Sequence, residues 1–284
     1  MFVFCLVSGT FSTLSRINAS ILTKETNEGQ YEIIECSYVG FHQNIDDGGA
    51  IFVDDDLKHV FIDHSIFLEC YVSESHSGGA IYFKSGQMDM RNVCAYKCFA
   101  GKEQFAYLRC EQNCHLNMIS VSFCNNITDG SGCIKMQNGY SRLKNTNVSH
   151  CLINDDSIVS IVNPMKFTSV HCTLSSNEGN DIAMISGSAG FFKFWNMANN
   201  TAYSSIIIHD TNDLCEFSHC SFQNHLKVLF KSLNGEVGVM NSHIVHSGIL
   251  FRGNVWFSNF ISSNPNPKQV HFQTAYCLAE FPKS

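Results

Sequence analysis

The chain has 284 residues, of which 44 % are hydrophobic and only 15 % are charged, so it can bury a substantial core and is neither disordered nor a coiled coil by composition. Its formal net charge is −7 and no block of lysine and arginine occurs, so no nucleic-acid partner is expected. No apolar stretch reaches the roughly 20 residues of a membrane-spanning helix, so we expect any membrane attachment to use an anchor that is not in this chain.

Residues 1–26 begin with the apolar run Met-Phe-Val-Phe-Cys-Leu-Val, which no positively charged segment precedes. This segment is predicted to be either a weak signal peptide or a first strand that caps the fold. Residues 27–284 are predicted to form a single repeat domain. A C-terminal cap is expected from about residue 265, because Pro265 and Pro267 lie there in a chain with only 4 prolines.

A Gly-Gly-Ala-Ile motif recurs in the first third of the chain, preceded each time by a polar run and followed by alternating apolar residues. Such recurrence indicates a repeat protein. The glycine pair is predicted to form a tight corner, because glycine reaches backbone angles that other residues avoid. The copies are Gly48-Gly49-Ala50-Ile51 and Gly78-Gly79-Ala80-Ile81, with a third, decayed copy at Gly130-Ser131-Gly132-Cys133-Ile134.

A second signature is a short apolar segment that ends in cysteine and precedes a polar turn. The intervals between these cysteines vary, whereas helical and leucine-rich repeats have a fixed unit length. A variable unit with short strands is typical of a β-helix, whose loops lengthen without breaking the stack. We expect the cysteines to fill one recurring buried position. They are Cys36, Cys70, Cys98, Cys124, Cys151, Cys172 and Cys220.

These repeats predict an all-β fold, a right-handed parallel β-helix of about nine to ten coils with little or no α-helix. One coil cannot bury its own inner face, but coils stacked about 4.8 Å apart pair every strand above and below. Inward positions must then be similar from coil to coil, and turns can carry stacked asparagines. An antiparallel sandwich is the alternative, and the Gly-Gly-Ala-Ile recurrence argues against it.

The motifs resemble a large family of right-handed β-helix proteins of trichomonad protists, often compared with the polymorphic outer-membrane proteins of bacteria. The resemblance rests on the Gly-Gly-Ala-Ile copies, on residues 92–98 and 105–107, and on the Val-Ser-x-Cys segments that follow. It covers roughly residues 35–264. It implies a pectin-lyase-like solenoid that is secreted or displayed at the cell surface. Many members carry a C-terminal membrane anchor, and we expect any such anchor to lie outside residues 1–284.

The 14 cysteines leave two interpretations open. They pair as disulfides in an oxidising compartment, or they serve as small buried residues of the repeat. The C-x3-C pairs Cys94/Cys98 and Cys110/Cys114 are candidates for one or two disulfides. Disulfides or buried thiols are favoured there over a four-cysteine zinc site. No cofactor and no metal are predicted.

Pectate lyases and polygalacturonases share this fold class, so a polysaccharide lyase or glycoside hydrolase is the enzymatic alternative. A hydrolase needs two neighbouring carboxyl groups, and a lyase needs acidic Ca²⁺ ligands and a base. The candidate pairing is Asp54 or Asp56 with Asp89. Residues 54–56 are expected to be a solvated turn, because consecutive strand residues point to opposite faces. No catalytic residues are predicted, and the chain is expected not to be an enzyme.

His150, His171 and His219 each precede a cysteine of the signature and would line one column of the stack. A column of imidazoles suits Zn²⁺. Glu35 and Lys97 hold the same place before other cysteines, which favours a solvated outer column of polar strand residues instead.

Four N-x-S/T sequons are candidate glycosylation sites, at Asn18, Asn126, Asn147 and Asn199. The expected function is a non-enzymatic scaffold, secreted or at the cell surface, that binds an unknown protein or carbohydrate through a long face of the helix. A further alternative is that the chain is a fragment of a longer membrane-anchored surface protein.

Overall fold

The computed structural model describes residues 24–25, 30–43, 47–73, 75–125, 132–154, 156–225 and 227–261, and these contain strands and turns but no helix. The predicted caps, at residues 1–26 and from about 265, lie almost wholly outside the described residues. The strands are β1 (Lys24–Glu25), β2 (Gln30–Ile34), β3 (Ser37–Val39), β4 (His42–Gln43), β5 (Ile51–Leu68), β6 (Tyr71–Val72), β7 (Ile81–Tyr96), β8 (Ala106–Cys110), β9 (Asn113–Ser122), β10 (Ile134–Gln137), β11 (Tyr140–Lys144), β12 (Asn147–Ser149), β13 (Ser157–Val162), β14 (Lys166–Val170), β15 (Thr173–Ser175), β16 (Glu178–Ser186), β17 (Gly190–Lys193), β18 (Asn196–Ala198), β19 (Thr201–Ser218), β20 (Ser221–His225), β21 (Val228–Met240), β22 (His243–His246), β23 (Phe251–Arg252) and β24 (Val255–Ser258).

The strands stack in parallel, each on the equivalent strand one turn away. One 22-stranded sheet and a 2-stranded sheet contain all the described strands, and the antiparallel pairing among them is that of β1 with β2. The described chain is therefore an all-β parallel solenoid of about 8 turns, which confirms the predicted fold class. The prediction of about nine to ten coils applied to the whole chain, part of which lies outside the described residues.

Each turn passes through three faces, which the strand register defines. Face A contains residues 51–55, 81–85, 106–110, 134–137, 159–162, 183–186, 207–210, 230–232 and 251–252. Face B contains residues 30–34, 59–63, 87–91, 113–117, 140–144, 166–170, 190–193, 215–218, 237–240 and 255–258. Face C contains residues 37–39, 66–68, 94–96, 120–122, 147–149, 173–175, 196–198, 221–223 and 243–245.

The core is a set of columns of inward side chains. On face B one column passes through Ile33, Ile62, Met90, Leu116 and Leu143, all at most 1 % exposed. Farther along the same column Phe192 stacks on Phe217, with ring centroids 4.3 Å apart. Burial of apolar area contributes roughly 25 cal/mol per Å², so each added turn extends a continuous stabilising interior.

The number of residues in a turn decreases along the chain. The face B column advances from Ile33 to Ile62 in one turn, and from Val239 to Phe257 in another. The first of these turns therefore spans 29 positions and the last spans 18. Face A shortens from residues 51–55 to residues 251–252, and most of the remaining difference lies in the segment that connects face C to face A.

A left-handed residue turns the chain from face B to face C in every described turn, at a position that we call the first corner. Its φ values run from 46° to 58°, a region that costs a non-glycine residue roughly 1–2 kcal/mol. Stacking holds the conformation, because corner N–H groups donate to carbonyls of the next turn, as Asn145 does to Val170 at 3.0 Å. The first-corner residues are Glu35, His64, Asn92, Met118, Asn145, His171, Phe194, His219, Asn241 and Asn259.

A second corner with the same conformation follows face C. Its residues are Gly40, Glu69, Lys97, Phe123, His150, Ser176 and Asn199. The residue after either corner is often cysteine, serine or threonine, and its side chain donates to the carbonyl two residues earlier. Cys220 Sγ donates to Ser218 O at 3.4 Å, and Ser65 Oγ donates to Asp63 O at 2.9 Å. A small donor after a left-handed residue is thus the physical basis of the cysteine signature.

The prediction that the signature cysteines share one column is wrong. Cys36, Cys172 and Cys220 follow the first corner, whereas Cys70, Cys98, Cys124 and Cys151 follow the second. The two corners have the same local geometry and accept the same small donor, so their sequences look alike although they lie on different sides of face C.

The two Gly-Gly-Ala-Ile copies stack directly on each other. Gly48 N donates to Ser77 O and Gly49 N donates to Gly78 O, at 3.0 and 3.2 Å. The first glycine of each pair has a φ near 70°, and the second lies where a Cβ has no room. A Cβ on Gly79 would lie 2.1 Å from the carbonyl oxygen of Gln104. The decayed third copy aligns two turns beyond the second, through the bonds Gln104 N to Gly132 O and Gly79 N to Glu103 O.

We expect Gly79→Ala to lower the free energy of unfolding by more than about 2 kcal/mol, because the added methyl group would collide with the backbone of Phe99 and Gln104 on the next turn. The matched control is Gly40→Ala, where φ is +67° but no atom lies within 4 Å of the added carbon. This control should cost only the left-handed backbone penalty of roughly 1–2 kcal/mol. Urea denaturation followed by circular dichroism measures both, and equal losses would contradict the steric explanation.

Candidate functional site

A hydrogen-bonded polar cluster lies on the outer side of face B, across three successive turns. Asp89 is at its centre: Oδ2 lies 2.9 Å from His59 Nε2, and Oδ1 lies 3.1 Å from His115 Nδ1. Gln87 Nε2 donates to Asp89 Oδ2 at 2.8 Å, and Asn113 Nδ2 donates to Gln87 Oε1 at 3.3 Å. We call these five residues the Asp89 cluster.

The surroundings of Asp89 favour its ionised form. The residue is 9 % exposed, and this burial alone would raise the pKa of its carboxyl. The hydrogen bonds from Gln87 and His59, together with the charge interactions with both histidines, outweigh burial and lower the pKa below its usual value. The carboxylate thus fixes the orientation of two imidazole rings that come from different turns.

A shallow groove of about 160 Å³ lies beside the cluster. Asp89 and His115 form one part of its lining, and the cations Arg91, Arg142 and Lys144 form another. Asn117, Met90 and Leu116 complete the lining. We call this feature the face B groove.

The structure separates the acids that the enzymatic alternative would require. Asp54 lies on face A, where Lys84 Nζ is 3.0 Å from its Oδ1. Asp89 lies on face B and is bound by His59 and His115. The side chain of Asp56 lies outside the described residues. Asp54 and Asp89 are therefore held by separate partners and are not brought together as a carboxyl pair.

The expected histidine column is wrong. His150 is a second-corner residue, whereas His171 and His219 are first-corner residues on turns that Phe194 separates. These positions are left-handed corners and not outward strand positions. The rings of His171 and Phe194 stack with centroids 4.7 Å apart. Among the described residues no group of three or more His, Cys, Asp or Glu side chains could hold a metal ion.

The disulfides suggested by C-x3-C spacing do not form. Cys98, Cys110 and Cys114 are free, buried thiols, so neither suggested pair exists. Cys94 is disulfide-bonded, as is Cys36. Cys94 is on face C and Cys98 follows the second corner, so a sequence spacing of four residues places them on different sides of a bend.

A column of thiols follows the second corner through four turns: Cys70, Cys98, Cys124 and Cys151. Burial raises the pKa of Cys124 and Cys151 well above that of a free thiol. The cysteines of the other corner are similar, because burial raises the pKa of Cys172 to about 11 and that of Cys220 to about 12. Thiolate is the reactive form of cysteine, so Cys124, Cys151, Cys172 and Cys220 are expected to be inert fillers of the core.

Asparagines continue the same column where the cysteines end. Asn177 Nδ2 donates to Val148 O at 2.9 Å and to Asn200 Oδ1 at 3.1 Å. Asn200 Nδ2 in turn donates to Leu174 O at 2.7 Å. Their amides bond along the stack, so buried polar groups at this position are satisfied by the next turn.

The sequons differ in their surroundings. Asn147 is fully buried on face C, where a glycan could not be attached to the folded chain. Asn199 is exposed at the second corner and is followed by exposed Thr201. Asn18 and Asn126 lie outside the described residues.

The Asp89 cluster was not predicted from the sequence, which suggested Asp89 only as a carboxyl partner of Asp54 or Asp56. The histidines are 30 residues before and 26 residues after Asp89 in sequence, so only the strand register shows that they meet. The offset between the Gly-Gly-Ala-Ile copies could have indicated one of these contacts. His59 and Asp89 are separated by about one repeat, so they lie side by side on neighbouring turns.

No protein-family model, no curated protein and no solved structure matches this chain. Within the part of the chain that the structure describes, no helix is long and apolar enough to cross a membrane.

We expect Asp89→Asn to lower the free energy of unfolding at pH 7 by about 1–2 kcal/mol, because hydrogen bonds to a charged group are lost. The folded pKa of Asp89 is lowered, so its contribution is present above the unfolded value of about 4 and is lost as the pH falls through the folded value. The difference between wild type and variant should therefore shrink in acid. Urea unfolding from pH 7 to pH 3 measures it.

The matched control for that experiment is Asp54→Asn, which removes a more exposed ion pair with Lys84 and should cost less than about 1 kcal/mol. A pH-independent effect of Asp89→Asn would show that the carboxylate charge does not stabilise the cluster.

The free thiols of the described residues should not react with a thiol reagent in the native protein, since all ten are buried. They should all react after unfolding in guanidinium chloride. A colorimetric thiol assay with and without denaturant measures both values, and rapid labelling of native protein would contradict the packing of the thiol column.

Proposed function

We propose that this chain is a non-enzymatic scaffold, secreted or displayed at the cell surface, that binds a partner through a long face of the solenoid. The observation that carries the proposal is the regularity of the outward rows. Phe52, Tyr82 and Tyr107 stack one turn apart on the outer side of face A, with centroids 5.2 and 5.1 Å apart. Such rows present the same kind of side chain at each turn along the axis, which suits an extended partner.

The finer family assignment is part of this proposal. The solenoid and its stacked Gly-Gly corners support the resemblance to the β-helix surface proteins of trichomonad protists. We propose a right-handed, pectin-lyase-like coil, because parallel strands joined by crossover connections are right-handed in about 98 % of cases. Adhesion is the role that such a surface position favours.

The cysteines are compatible with an oxidising exterior. Cys36 and Cys94 are disulfide-bonded, and disulfides persist mainly in oxidising compartments. The free thiols do not argue against this location, because burial keeps them out of reach of oxidants. Exposed Asn199 offers a glycan acceptor that the folded chain could present.

The test is the localisation of a tagged full-length chain in cultured trichomonad cells, with a glycosidase digest of the same sample. We expect surface or medium localisation and a mobility shift on digestion. Thr201→Ala removes the exposed sequon without altering the corner residue Asn199 and should reduce the shift. Ser149→Ala removes the buried sequon of Asn147 and should leave the shift unchanged. A cytosolic chain without glycan would overturn the proposal.

A further inference from the structure

The face B groove concentrates positive charge on a chain whose net charge is −7. Three cations line it, Arg91, Arg142 and Lys144, against the one carboxylate of Asp89. Arg142 and Lys144 lie on one turn and Arg91 lies two turns away, which separates them by roughly 10 Å along the axis.

The carboxylates near these cations are bound to other groups. Asp63, the register partner of Arg91, accepts a hydrogen bond from Asn92 Nδ2 and lies 2.9 Å from His64 Nδ1. Arg142 and Lys144 form no ion pair with a described carboxylate, and Arg91 lies over the ring of Phe61 at 5.4 Å. The carboxylate of Asp89 is already occupied by His59 and His115. The groove is therefore left with an excess of positive charge that faces solvent.

Neutral polar and aromatic groups border the cations. Asn117 lines the groove, and Gln87 and Asn113 lie on the same outer face. Amide groups both donate and accept hydrogen bonds, as hydroxyl groups require. Tyr140 begins the strand that carries Arg142 and Lys144 and is 53 % exposed. A flat exposed ring beside hydrogen-bonding amides offers an apolar platform with a polar edge.

We infer that the face B groove binds an acidic polysaccharide, a hydroxylated chain that carries a carboxylate or sulfate group on its repeating unit. Arg142 and Lys144 contact one anionic group, and Arg91 contacts another two turns away. Asn117 and Asn113 bond to hydroxyl groups, and Tyr140 supports a sugar ring. The Asp89 cluster positions His115 at the edge of the groove. The inference rests on the proposed function and names the class of its partner.

The spacing of the cations favours a polymer over a small anion. Arg142 and Lys144 lie on one turn and Arg91 lies roughly 10 Å away along the axis, so a row of anionic groups matches the three cations better than one small anion does. An extended chain lying along the axis contacts all three, and its affinity rises because the later contacts are intramolecular. Charge-assisted hydrogen bonds from arginine to carboxylate or sulfate are the strongest contacts available to it.

The test measures binding of the purified full chain to polygalacturonate and to dextran sulfate by isothermal titration calorimetry at low salt. Unmodified dextran is the neutral comparison, and monomeric galacturonate is the small-anion comparison. The double variant Arg142→Gln with Lys144→Gln should weaken binding of at least one anionic polymer about tenfold or more, as the loss of two charge-assisted contacts predicts. The matched control, Lys231→Gln with Arg252→Gln, removes the same two residue types on the outer side of face A. It should change the affinity less than about twofold, since distant exposed charges are screened.

Tyr140→Ser is a second variant that leaves the charge unchanged, and it should also weaken polymer binding. Circular dichroism confirms that each variant is folded before titration. The inference is overturned if neither anionic polymer binds, if neutral dextran binds equally well, or if monomeric galacturonate binds as tightly per anionic group. It is also overturned if the face A control loses as much affinity as the groove variant.

The outcomes distinguish a failure of this inference from a failure of the proposed function. A surface-localised, glycosylated chain that fails to bind either polymer would remove the groove assignment and leave the scaffold proposal standing. A cytosolic chain would remove the scaffold proposal even if the purified protein bound the polymers.

Discussion

In-register parallel pairing of the backbone is the constraint on which the rest of the structure depends. Each residue lies over an equivalent residue one turn away, so a side chain must be compatible with itself or with a close substitute. Phe192 over Phe217 meets this condition through ring stacking, and Asn177 over Asn200 meets it through amide hydrogen bonds. The left-handed corners persist for the same reason, because hydrogen bonds between turns hold a conformation that most of these residues would otherwise avoid.

The same constraint creates the candidate site. On the outer side of face B, the register places a histidine on each side of Asp89 and cations farther along the axis. Hydrogen bonds between neighbouring turns satisfy the polar groups of the cluster, whereas the excess cations of the groove face solvent. The polar groups of the Asp89 cluster thus bind one another, whereas the cations of the face B groove are available to bind a partner.

The fold was predictable because the recurring glycine pairs can be recognised in the sequence. Gly48-Gly49 and Gly78-Gly79 occur where no other residue fits. The cysteine columns were not separable from sequence, because the first and second corners demand the same local chemistry. The Asp89 cluster was only partly predictable: the 30-residue offset relates His59 to Asp89, but His115 follows after 26 residues because the turns differ in length. The C-x3-C pairs misled because spacing says nothing about a bend between Cys94 and Cys98.

The decreasing turn length does not change the axial spacing between groups on the outer faces. A turn of 29 residues and a turn of 18 residues each advance the axis by one strand spacing of about 4.8 Å. Residues gained or lost in the connecting segments therefore leave the axial positions of the outward groups unchanged, and only a whole turn alters them. The axial spacing of outward groups is set by the number of turns. Loop sequences can therefore diverge freely, while the spacing that a bound partner encounters stays constant.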